Sequence, residues 1–287
     1  MPWRGGTIEY VLDGPDDASD LLLFHVGTPA AAVPHAGLVR AAAAAGMRVA
    51  GYSRGGYGAS TRLPGRSVAD EAAIAAALAD HLDHDRFFTI GWSGGGPVAL
   101  ACAALLRDRV RAAATLAGIA PRTESGAAWE TFWNPEQRKE WEDLARRDAA
   151  EVETEYAEAV PMFRRMTVKR LVGMGGPPDA RGLANDIAAE VQPDLVRGMR
   201  RAVSHGYYGY LDDNLAQARD WGFRVADIRV PVIVRHGALD RLVPAVQGAW
   251  LAANISNARG VFYDDAGHGS IVLPWAEVVA QLREAAG

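Results

Sequence analysis

A serine flanked by glycines joins a predicted strand to a predicted helix, and this junction constrains the fold more than any other stretch. Residues 87–90 are apolar and predict a buried strand, while residues 98–106 are rich in alanine and leucine and predict a helix. Gly91-Trp-Ser-Gly-Gly95 lies between them. The glycines leave room for the strand and the helix to cross closely, so Ser93 projects from a tight turn near the first N–H groups of the helix. Unpaired N–H groups at that position can hold an anionic oxygen.

Length and composition fit one large globular domain, or one domain that carries an insertion. The chain has 287 residues, of which 49% are hydrophobic and 23% are charged. A net charge of −5 without a basic stripe argues against nucleic-acid binding. The N-terminus lacks the apolar core of a signal peptide and no apolar run approaches the ~20 residues of a membrane span, so we expect a cytoplasmic protein without membrane contact. Cys102, the only cysteine, provides neither a disulfide framework nor metal-site spacing.

Strands and helices alternate on both sides of a long central segment. Before that segment, strands are predicted at residues 7–12, 21–25, 48–52, 87–90 and 110–116, and helices at residues 34–46, 67–82 and 98–106. After it, the prediction is a strand at 230–236, a helix at 244–254, a strand at 259–263 and a helix at 274–286. This alternation is typical of an α/β fold with a parallel sheet and helices on both faces.

The central segment, residues 121–222, contains no convincing strand. Its predicted helices cover residues 135–160, 161–172, 180–191 and 193–205, and a run of glycine and proline at 173–178 separates the second helix from the third. We interpret the segment as a helical cap inserted into a core formed by residues 1–120 and 223–287. Ligands of open α/β sheets bind beyond the carboxyl ends of the strands, so a cap there would wall the pocket and set the shape of the substrate.

Three side chains of complementary chemistry each follow a predicted parallel strand: Ser93, Asp240 and His268. The carboxyl ends of parallel strands share one edge of the sheet, so these side chains can meet there. A serine hydroxyl is a weak nucleophile until a base takes its proton, and imidazole titrates near neutrality. A carboxylate would fix the tautomer of the imidazole and stabilise its charged form. Asp264 and Asp265 are rivals for the acid because they are close to His268, although their setting is typical of a turn.

Together these motifs resemble those of α/β-hydrolase-fold serine hydrolases, in the esterase and proline iminopeptidase-like branch with a helical cap. The resemblance extends over nearly the full length and rests on four stretches: His25-Val-Gly-Thr-Pro29, Gly91-Trp-Ser-Gly-Gly95, His236-Gly-Ala-Leu-Asp-Arg-Leu-Val-Pro244 and Ala266-Gly-His268. It implies an α/β-hydrolase fold with an eight-stranded, mostly parallel sheet, helices on both faces and a helical cap inserted after the sixth strand. It implies no cofactor and no metal.

By this resemblance Ser93 is the nucleophile, Asp240 the acid and His268 the base of a catalytic triad. The implied reaction is hydrolysis of a carboxylic ester, a lactone or a related acyl bond through an acyl-enzyme on Ser93. Haloalkane and epoxide hydrolases of the same superfamily carry an aspartate at this position and are therefore disfavoured. His236, at the end of a predicted strand, is interpreted as structural.

Backbone N–H groups would form the oxyanion hole. Gly94, directly after the nucleophile, is the first implied donor. The second donor of the family follows a His-Gly pair, which Val26 interrupts in this chain. The second donor is therefore either Thr28 or Gly27, and we favour Thr28. His25 itself is interpreted as structural.

Three other functions stay open at this point. A proline iminopeptidase-like aminopeptidase would need acidic side chains in the cap to hold a substrate amine, and the candidates are Glu153, Glu155, Glu158, Asp212 and Asp213. Carbon–carbon bond hydrolases use the same triad and are not separable by sequence. A non-catalytic, ligand-binding homologue would keep the fold without the chemistry, and the intact triad argues against it.

The candidate substrate-binding residues are aromatic. Trp92 precedes the serine, and Tyr207, Tyr208 and Tyr210 cluster just before the chain returns to the sheet. Aromatic rings with polar tips suit a mostly apolar pocket for a small-molecule substrate. The alternative is that the three tyrosines only pack the cap onto the core.

Overall fold

A computed structural model of the protein describes residues 1–174 and 189–287, so most of the helix predicted at residues 180–191 lies outside the described residues. Within these ranges the strands, in chain order, are β1 (Pro2–Trp3), β2 (Gly6–Thr7), β3 (Tyr10–Asp13), β4 (Asp20–His25), β5 (Met47–Tyr52), β6 (Phe87–Trp92), β7 (Val110–Leu116), β8 (Val232–Gly237) and β9 (Ala258–Tyr263). The α-helices are α1 (Ala36–Ala44), α2 (Asp70–His81), α3 (Gly96–Leu105), α4 (Arg122–Ser125), α5 (Trp129–Phe132), α6 (Pro135–Arg146), α7 (Ala149–Arg164), α8 (Val168–Met174), α9 (Gln192–Ala202), α10 (Tyr208–Ala218), α11 (Ala245–Asn254) and α12 (Trp275–Ala286). No helix in these ranges is long and apolar enough to cross a membrane.

Seven of the described strands form one sheet in the order β3-β5-β4-β6-β7-β8-β9. β3 pairs antiparallel with β5, and all other neighbours in the sheet are parallel. The predicted mostly parallel sheet of an α/β-hydrolase fold is confirmed, but the expected count of eight strands is wrong. β1 and β2 form a separate two-stranded hairpin, whose turn has positive φ at both Arg4 (44°) and Gly5 (80°).

Helices cover both faces of the sheet because the central strands are apolar on both sides. In β4, Leu21 and Leu23 belong to a buried cluster that includes residues of α2, α3 and α11. Leu22 and Phe24 point the other way and pack in a cluster with residues of α1 and α12. The continuous apolar run of this strand thus reflects burial on two faces, as is typical of parallel sheets.

Helices and turns link β7 to β8 in the described residues, as predicted for residues 121–222. The single helix predicted over residues 135–160 is wrong because Asp148 begins a new one. The side chains of Asp148 and Glu151 form a capping box at the N-terminus of α7. The break predicted at Pro161 is also wrong. Pro161 lies inside α7, three residues before the helix ends, where it removes only one i→i−4 hydrogen bond.

The helix α10 is not predicted by the sequence. It begins just after Tyr207 and packs against α6 and α7. Two adjacent residues of this helix, Asp212 and Asp213, are almost completely buried, although aspartate is rarely buried without a partner. α10 therefore carries charged groups of the helical segment into contact with the loops of the sheet.

Candidate active site

Ser93 occupies the tight turn between β6 and α3, and its backbone lies in the left-handed region with a φ of 53°. Non-glycine residues rarely adopt this conformation, and such strain concentrates at functional sites. The strand and the helix cross so closely that side chains are excluded at both flanking positions. A Cβ atom on Gly91 would lie 2.0 Å from the Gly95 oxygen, and one on Gly95 would lie 1.9 Å from the His25 oxygen. The crossing expected from the glycines is therefore present.

His268 and Asp240 form a hydrogen-bonded pair at the carboxyl edge of the sheet. Asp240 follows β8 and His268 follows β9, and the distance from His268 Nδ1 to Asp240 Oδ2 is 2.8 Å. A carboxylate only accepts hydrogen bonds, so Nδ1 carries the hydrogen and Nε2 is left as the basic nitrogen. Ser93 and His268 line the same cavity. The structure thus brings together the three residues that the sequence analysis selects as a triad.

The second oxygen of Asp240 is held by the backbone. Oδ1 accepts hydrogen bonds from the N–H groups of Leu242 at 2.9 Å and Val243 at 2.8 Å. Burial raises the pKa of Asp240, but the charge of His268 and the hydrogen bonds from His236, His268 and the Val243 N–H outweigh burial and hold this pKa well below its usual value. Asp240 is therefore ionised at neutral pH, as a group that stabilises an imidazolium must be.

A second imidazole contacts the same carboxylate. The Nε2 atom of His236, which is fully buried, lies 2.8 Å from the Val243 oxygen and 3.2 Å from Asp240 Oδ2. Both neighbours are acceptors, so Nε2 carries the hydrogen and fastens the loop that positions Asp240. His25 is also buried, with Nε2 3.0 Å from Thr89 Oγ1, and burial lowers the pKa of His25 to about 3. These contacts fit the structural roles expected for both histidines.

The rival acids, Asp264 and Asp265, are exposed in the turn that follows β9. The carboxylate that contacts His268 belongs to Asp240. A turn places exposed aspartates where water solvates them, which agrees with the interpretation of this pair as turn formers.

Trp92 lies at the cavity wall and also supports the histidine loop. Its Nε1–H donates to the backbone oxygen of His268 at 2.9 Å, and its side chain is buried. The two rings are 6.2 Å apart. Trp92, which the sequence analysis selects for substrate binding, is thus at the cavity and holds the backbone of His268 in place.

The loop after β4 lies directly against the serine turn. A Cβ atom on Gly27 would lie 3.0 Å from Ser93 Cβ, and one on Gly94 would lie 2.4 Å from Thr28 Oγ1. Gly94 is the second residue of the helical turn Ser93–Gly95 that leads into α3, and the first backbone N–H groups of a helix lack partners within it. Among the described residues, no backbone oxygen accepts a hydrogen bond from the Thr28 N–H.

A buried cluster of charges ties Thr28 to the helical segment. Its hydroxyl donates to Asp213 Oδ2 in α10 at 2.7 Å. Arg54 and Arg66 also bind Asp213, and the side chains of these arginines are only 2% and 3% exposed. Glu71 pairs with Arg66 at 2.9 Å, so two guanidinium groups face two carboxylates. Burial raises the pKa of Asp213, but the two arginines outweigh it and hold this pKa far below its usual value.

A cavity of about 420 Å³ opens beside Ser93, between the edge of the sheet and the helical segment. Most of its wall is apolar, from the side chains of Pro29, Ala30, Ile119, Trp133, Trp141, Phe163, Leu171, Leu195, Met199, Leu242 and Val243. The helical segment adds the polar residues Gln137, Glu140, Tyr210, Asn214 and Gln217. Among the described lining residues there is no lysine or arginine.

Of the three tyrosines expected at the substrate, the structure places Tyr210 at the cavity and the other two outside its lining. The Tyr207 hydroxyl donates to Glu153 at 3.2 Å. The Tyr208 ring packs under the guanidinium of Arg62, 3.8 Å from the ring centre. The two outer tyrosines therefore tie helices and loops together in the way that the packing alternative describes.

Four polar residues of the wall were missed by the sequence analysis: Gln137 and Glu140 in α6, and Asn214 and Gln217 in α10. Asn214 and Gln217 follow Tyr210 at i+4 and i+7, so all three lie on one face of α10. Tyr210 itself packs edge-on against Tyr156 and Phe163, with ring centres 4.8 Å and 5.5 Å apart. The helical spacing was the available signal, but it is visible only once the stretch is known to be a helix.

The acidic residues considered for a substrate amine all lie outside the cavity lining. Asp212 makes two hydrogen bonds to Arg62, at 2.9 Å and 3.0 Å, and Glu155 pairs with Arg147 at 2.6 Å. Glu158 is exposed. Glu153 accepts a hydrogen bond from Tyr207, and the other carboxylates are engaged by arginines or exposed, so none of them lines the cavity.

Comparisons with known proteins agree with this geometry. A family model for the alpha/beta hydrolase fold matches residues 20–273. A pimeloyl-[acyl-carrier protein] methyl ester esterase of Aromatoleum aromaticum is 30% identical over 228 residues, which is 78% of this chain and 81% of the relative. A bifunctional esterase/perhydrolase of Acinetobacter calcoaceticus is 26% identical and aligns with 92% of this chain and 90% of its own length.

Solved structures share the fold. The enol-lactonase of Burkholderia xenovorans superposes with a TM-score of 0.66 at 21% identity, covering 99% of this chain and 97% of that enzyme. The family match spans the serine turn, both loops that carry Asp240 and His268, and the helical segment between them. On these grounds the chain belongs to the alpha/beta hydrolase fold family, and it is a hydrolase.

Proposed function

We propose that the protein hydrolyses uncharged carboxylic esters through an acyl-enzyme on Ser93. The observation that carries the proposal is the pair of His268 and Asp240, 2.8 Å apart, at the wall of the cavity into which the strained serine turn opens. Residues 121–222 serve as the cap of this site, with residues 1–120 and 223–287 as the core.

In the proposed reaction, the Ser93 hydroxyl attacks the carbonyl carbon of the ester while His268 Nε2 accepts its proton. The carbonyl oxygen becomes an oxyanion, which the N–H groups of Gly94 and Thr28 stabilise. The tetrahedral intermediate then expels the alcohol, which takes the proton from His268. Water, deprotonated by the same nitrogen, attacks the acyl carbon. The bond from Ser93 Oγ to this carbon then breaks, Oγ takes the proton back from His268, and the acid is released. Asp240 stabilises the imidazolium in both halves of the reaction.

The lining of the cavity supports an uncharged substrate. A substrate carboxylate would meet no arginine or lysine among the described lining residues, and Glu140 on the wall would repel it. The largely apolar surface favours burial of an acyl chain or an aromatic group. Two relatives are named as a methyl ester esterase and an esterase/perhydrolase, and these names support an ester as the bond that is cleaved.

The arrangement gives less support to an aminopeptidase. An aminopeptidase of the kind considered above needs carboxylates that hold a substrate amine beside the nucleophile. The candidates Asp212 and Asp213 are engaged by arginines, and Glu155 pairs with Arg147. One carboxylate of the helical segment, Glu140, lines the cavity, but it is exposed to solvent. Ester hydrolysis requires no group that binds an amine.

The test is a serine-directed phosphonate, with labelling followed by intact-mass spectrometry and turnover followed on a panel of neutral esters, lactones, aminoacyl anilides and carboxylate-bearing esters. We expect wild type to be labelled once, and Ser93→Ala to be unlabelled and to lose turnover by about 10⁴ or more. His268→Ala should block labelling because the hydroxyl is no longer activated. Ser256→Ala, at an exposed serine, is the matched control.

Two results would contradict the proposal. If the Ser93→Ala variant kept a tenth of the wild-type turnover, Ser93 would be excluded as the nucleophile. Turnover of aminoacyl anilides or carboxylate-bearing esters above that of the neutral esters would exclude the proposed substrate class. In either case the control variant must behave as wild type, so that loss of folded protein is not mistaken for loss of chemistry.

A further inference from the structure

We propose that Asp213, in the cap helix α10, is a positioning residue for the oxyanion hole: its carboxylate fixes the Thr28 hydroxyl and thereby the direction of the Thr28 N–H. The inference rests on the proposed function, because Thr28 matters to it as an oxyanion donor. Asp213 does not line the cavity, so it acts on the oxyanion hole through the loop that carries Thr28.

The contacts of the Thr28 hydroxyl leave it one arrangement. It donates to Asp213 Oδ2 at 2.7 Å, because a carboxylate oxygen has no hydrogen to give. Its oxygen accepts from Gln217 Nε2 at 3.1 Å and from Arg54 Nη2 at 3.2 Å. One donor and two acceptor positions are thus filled, and a hydroxyl offers no more. The rotation of the side chain, and with it the backbone of Thr28, is held from three directions.

The Asp213 carboxylate also holds the oxyanion loop indirectly, through Arg54. Arg54 Nη1 donates to the Val26 oxygen at 2.7 Å, at the start of the oxyanion loop. The Nε atom of Arg54 donates to both oxygens of Asp213, at 2.9 Å and 3.0 Å. Asp213 therefore orients the guanidinium that holds Val26 as well as the hydroxyl of Thr28. The loop is bound to α10 through two routes that meet at one carboxylate.

Small displacements of this loop matter because the loop is in contact with the turn that carries the nucleophile. The Thr28 hydroxyl lies close against Gly94, the other proposed donor, and Gly27 lies against Ser93. One donor of an oxyanion hole is worth about 10²–10³ in kcat, and a displacement of about 1 Å can cost about 10². A contact that fixes the Thr28 N–H is therefore expected to act on kcat much more than on substrate binding.

A purely structural role for the contact makes a different prediction, and Tyr57 separates the two. The Tyr57 hydroxyl donates to the same atom, Asp213 Oδ2, at 3.0 Å, and it is fully buried. It does not line the cavity. Thr28→Val and Tyr57→Phe each remove one hydroxyl donor from one carboxylate oxygen, but only the first releases the oxyanion loop.

The experiment compares Thr28→Val, Thr28→Ser and Tyr57→Phe by kcat and KM on a neutral ester, by inhibition with a trifluoromethyl ketone, and by melting temperature. The ketone forms a tetrahedral adduct whose oxygen occupies the oxyanion hole. We expect Thr28→Val to lower kcat about 10- to 100-fold and to weaken the inhibitor in parallel, with KM changed less than about threefold. Thr28→Ser should restore kcat, and Tyr57→Phe should keep it even where its melting temperature falls.

Wild-type kcat in Thr28→Val would overturn the inference, as would an equal loss of kcat in Tyr57→Phe. If Thr28→Val folds poorly, Thr28→Ala is measured instead, because it removes the same hydroxyl without adding a methyl group in its place. Ser93→Ala separates this inference from the proposed function. If Ser93→Ala is inactive and Thr28→Val is normal, the positioning role fails while the proposed function stands.

Discussion

The buried charge cluster makes a quantitative prediction about two adjacent aspartates of α10. Asp213→Asn keeps the shape of the side chain but removes its charge from between Arg54 and Arg66, which are 2% and 3% exposed. Two buried guanidinium groups then face only Glu71 instead of two carboxylates. Breaking a buried ion pair in this way costs about 3–5 kcal/mol in free energy of unfolding.

The neighbouring substitution is the control. Asp212→Asn removes a carboxylate that is as buried as Asp213, but its partner, Arg62, is 28% exposed and keeps access to water. Pairs with a solvated partner contribute about 0–1 kcal/mol. The expected difference between the two variants is therefore at least about 2 kcal/mol, although they are adjacent on one helix and make the same chemical change.

The assay is urea unfolding followed by tryptophan fluorescence, for wild type and both variants at pH 7 and pH 3. The pKa of Asp213 is lowered by folding, so its stabilisation is present above the ordinary carboxyl pKa of about 3.9 and is lost as the pH falls below it. The difference between wild type and Asp213→Asn should shrink by about 1 kcal/mol at pH 3. Equal costs for the two variants at pH 7, or a cost below about 1 kcal/mol for Asp213→Asn, would refute the reasoning.

Two further predictions concern the site itself. Tyr210→Ala enlarges the cavity, so it should change the ratio of kcat/KM between short and long acyl esters, whereas Tyr207→Ala, outside the lining, should leave this ratio unchanged. A panel of esters measures both ratios, and equal changes in the two variants would show that Tyr210 does not contact the substrate. Asp240→Asn should lower kcat by about 10⁴ because the amide favours the wrong imidazole tautomer, while Asp265→Asn should stay within about twofold of wild type. Steady-state kinetics distinguish these outcomes, and a severe effect of Asp265→Asn would show that the acid is misplaced.

The residues of the proposed triad are accessible from the sequence because each follows a predicted strand. Ser93 comes directly after β6, while Asp240 and His268 lie in the loops that follow β8 and β9, and parallel strands end at one edge of the sheet. Local patterns are enough to place such strands, since the apolar run and the turn that ends it are neighbours in the chain. These local patterns predict seven strands, which is the number in the sheet, whereas the count of eight that the resemblance implies is wrong.

The helix α10 shows where local pattern fails. Its sequence contains Gly209 and the polar run from Asp212 to Asn214, which weaken helix propensity. The contacts that stabilise it are remote: Asp212 bonds Arg62, 150 residues earlier, and Asp213 bonds Arg54, 159 residues earlier. No window of the sequence contains both partners, so neither the helix nor the lining residues that it carries could be derived without the tertiary structure.

In the mechanism that we propose, the position of α10 couples the choice of substrate to the chemistry of the oxyanion hole. On one face the helix offers Tyr210, Asn214 and Gln217 to the cavity, and on the adjacent face Asp213 binds Thr28. Gln217 belongs to both sets, because it lines the cavity and also donates to the Thr28 hydroxyl. If Thr28 is the oxyanion donor that we propose, a substrate that displaces α10 to gain room also moves this donor. Poor fit in the acyl pocket should for this reason reduce kcat as well as affinity, which is how binding energy remote from the reacting carbonyl can be used in the transition state.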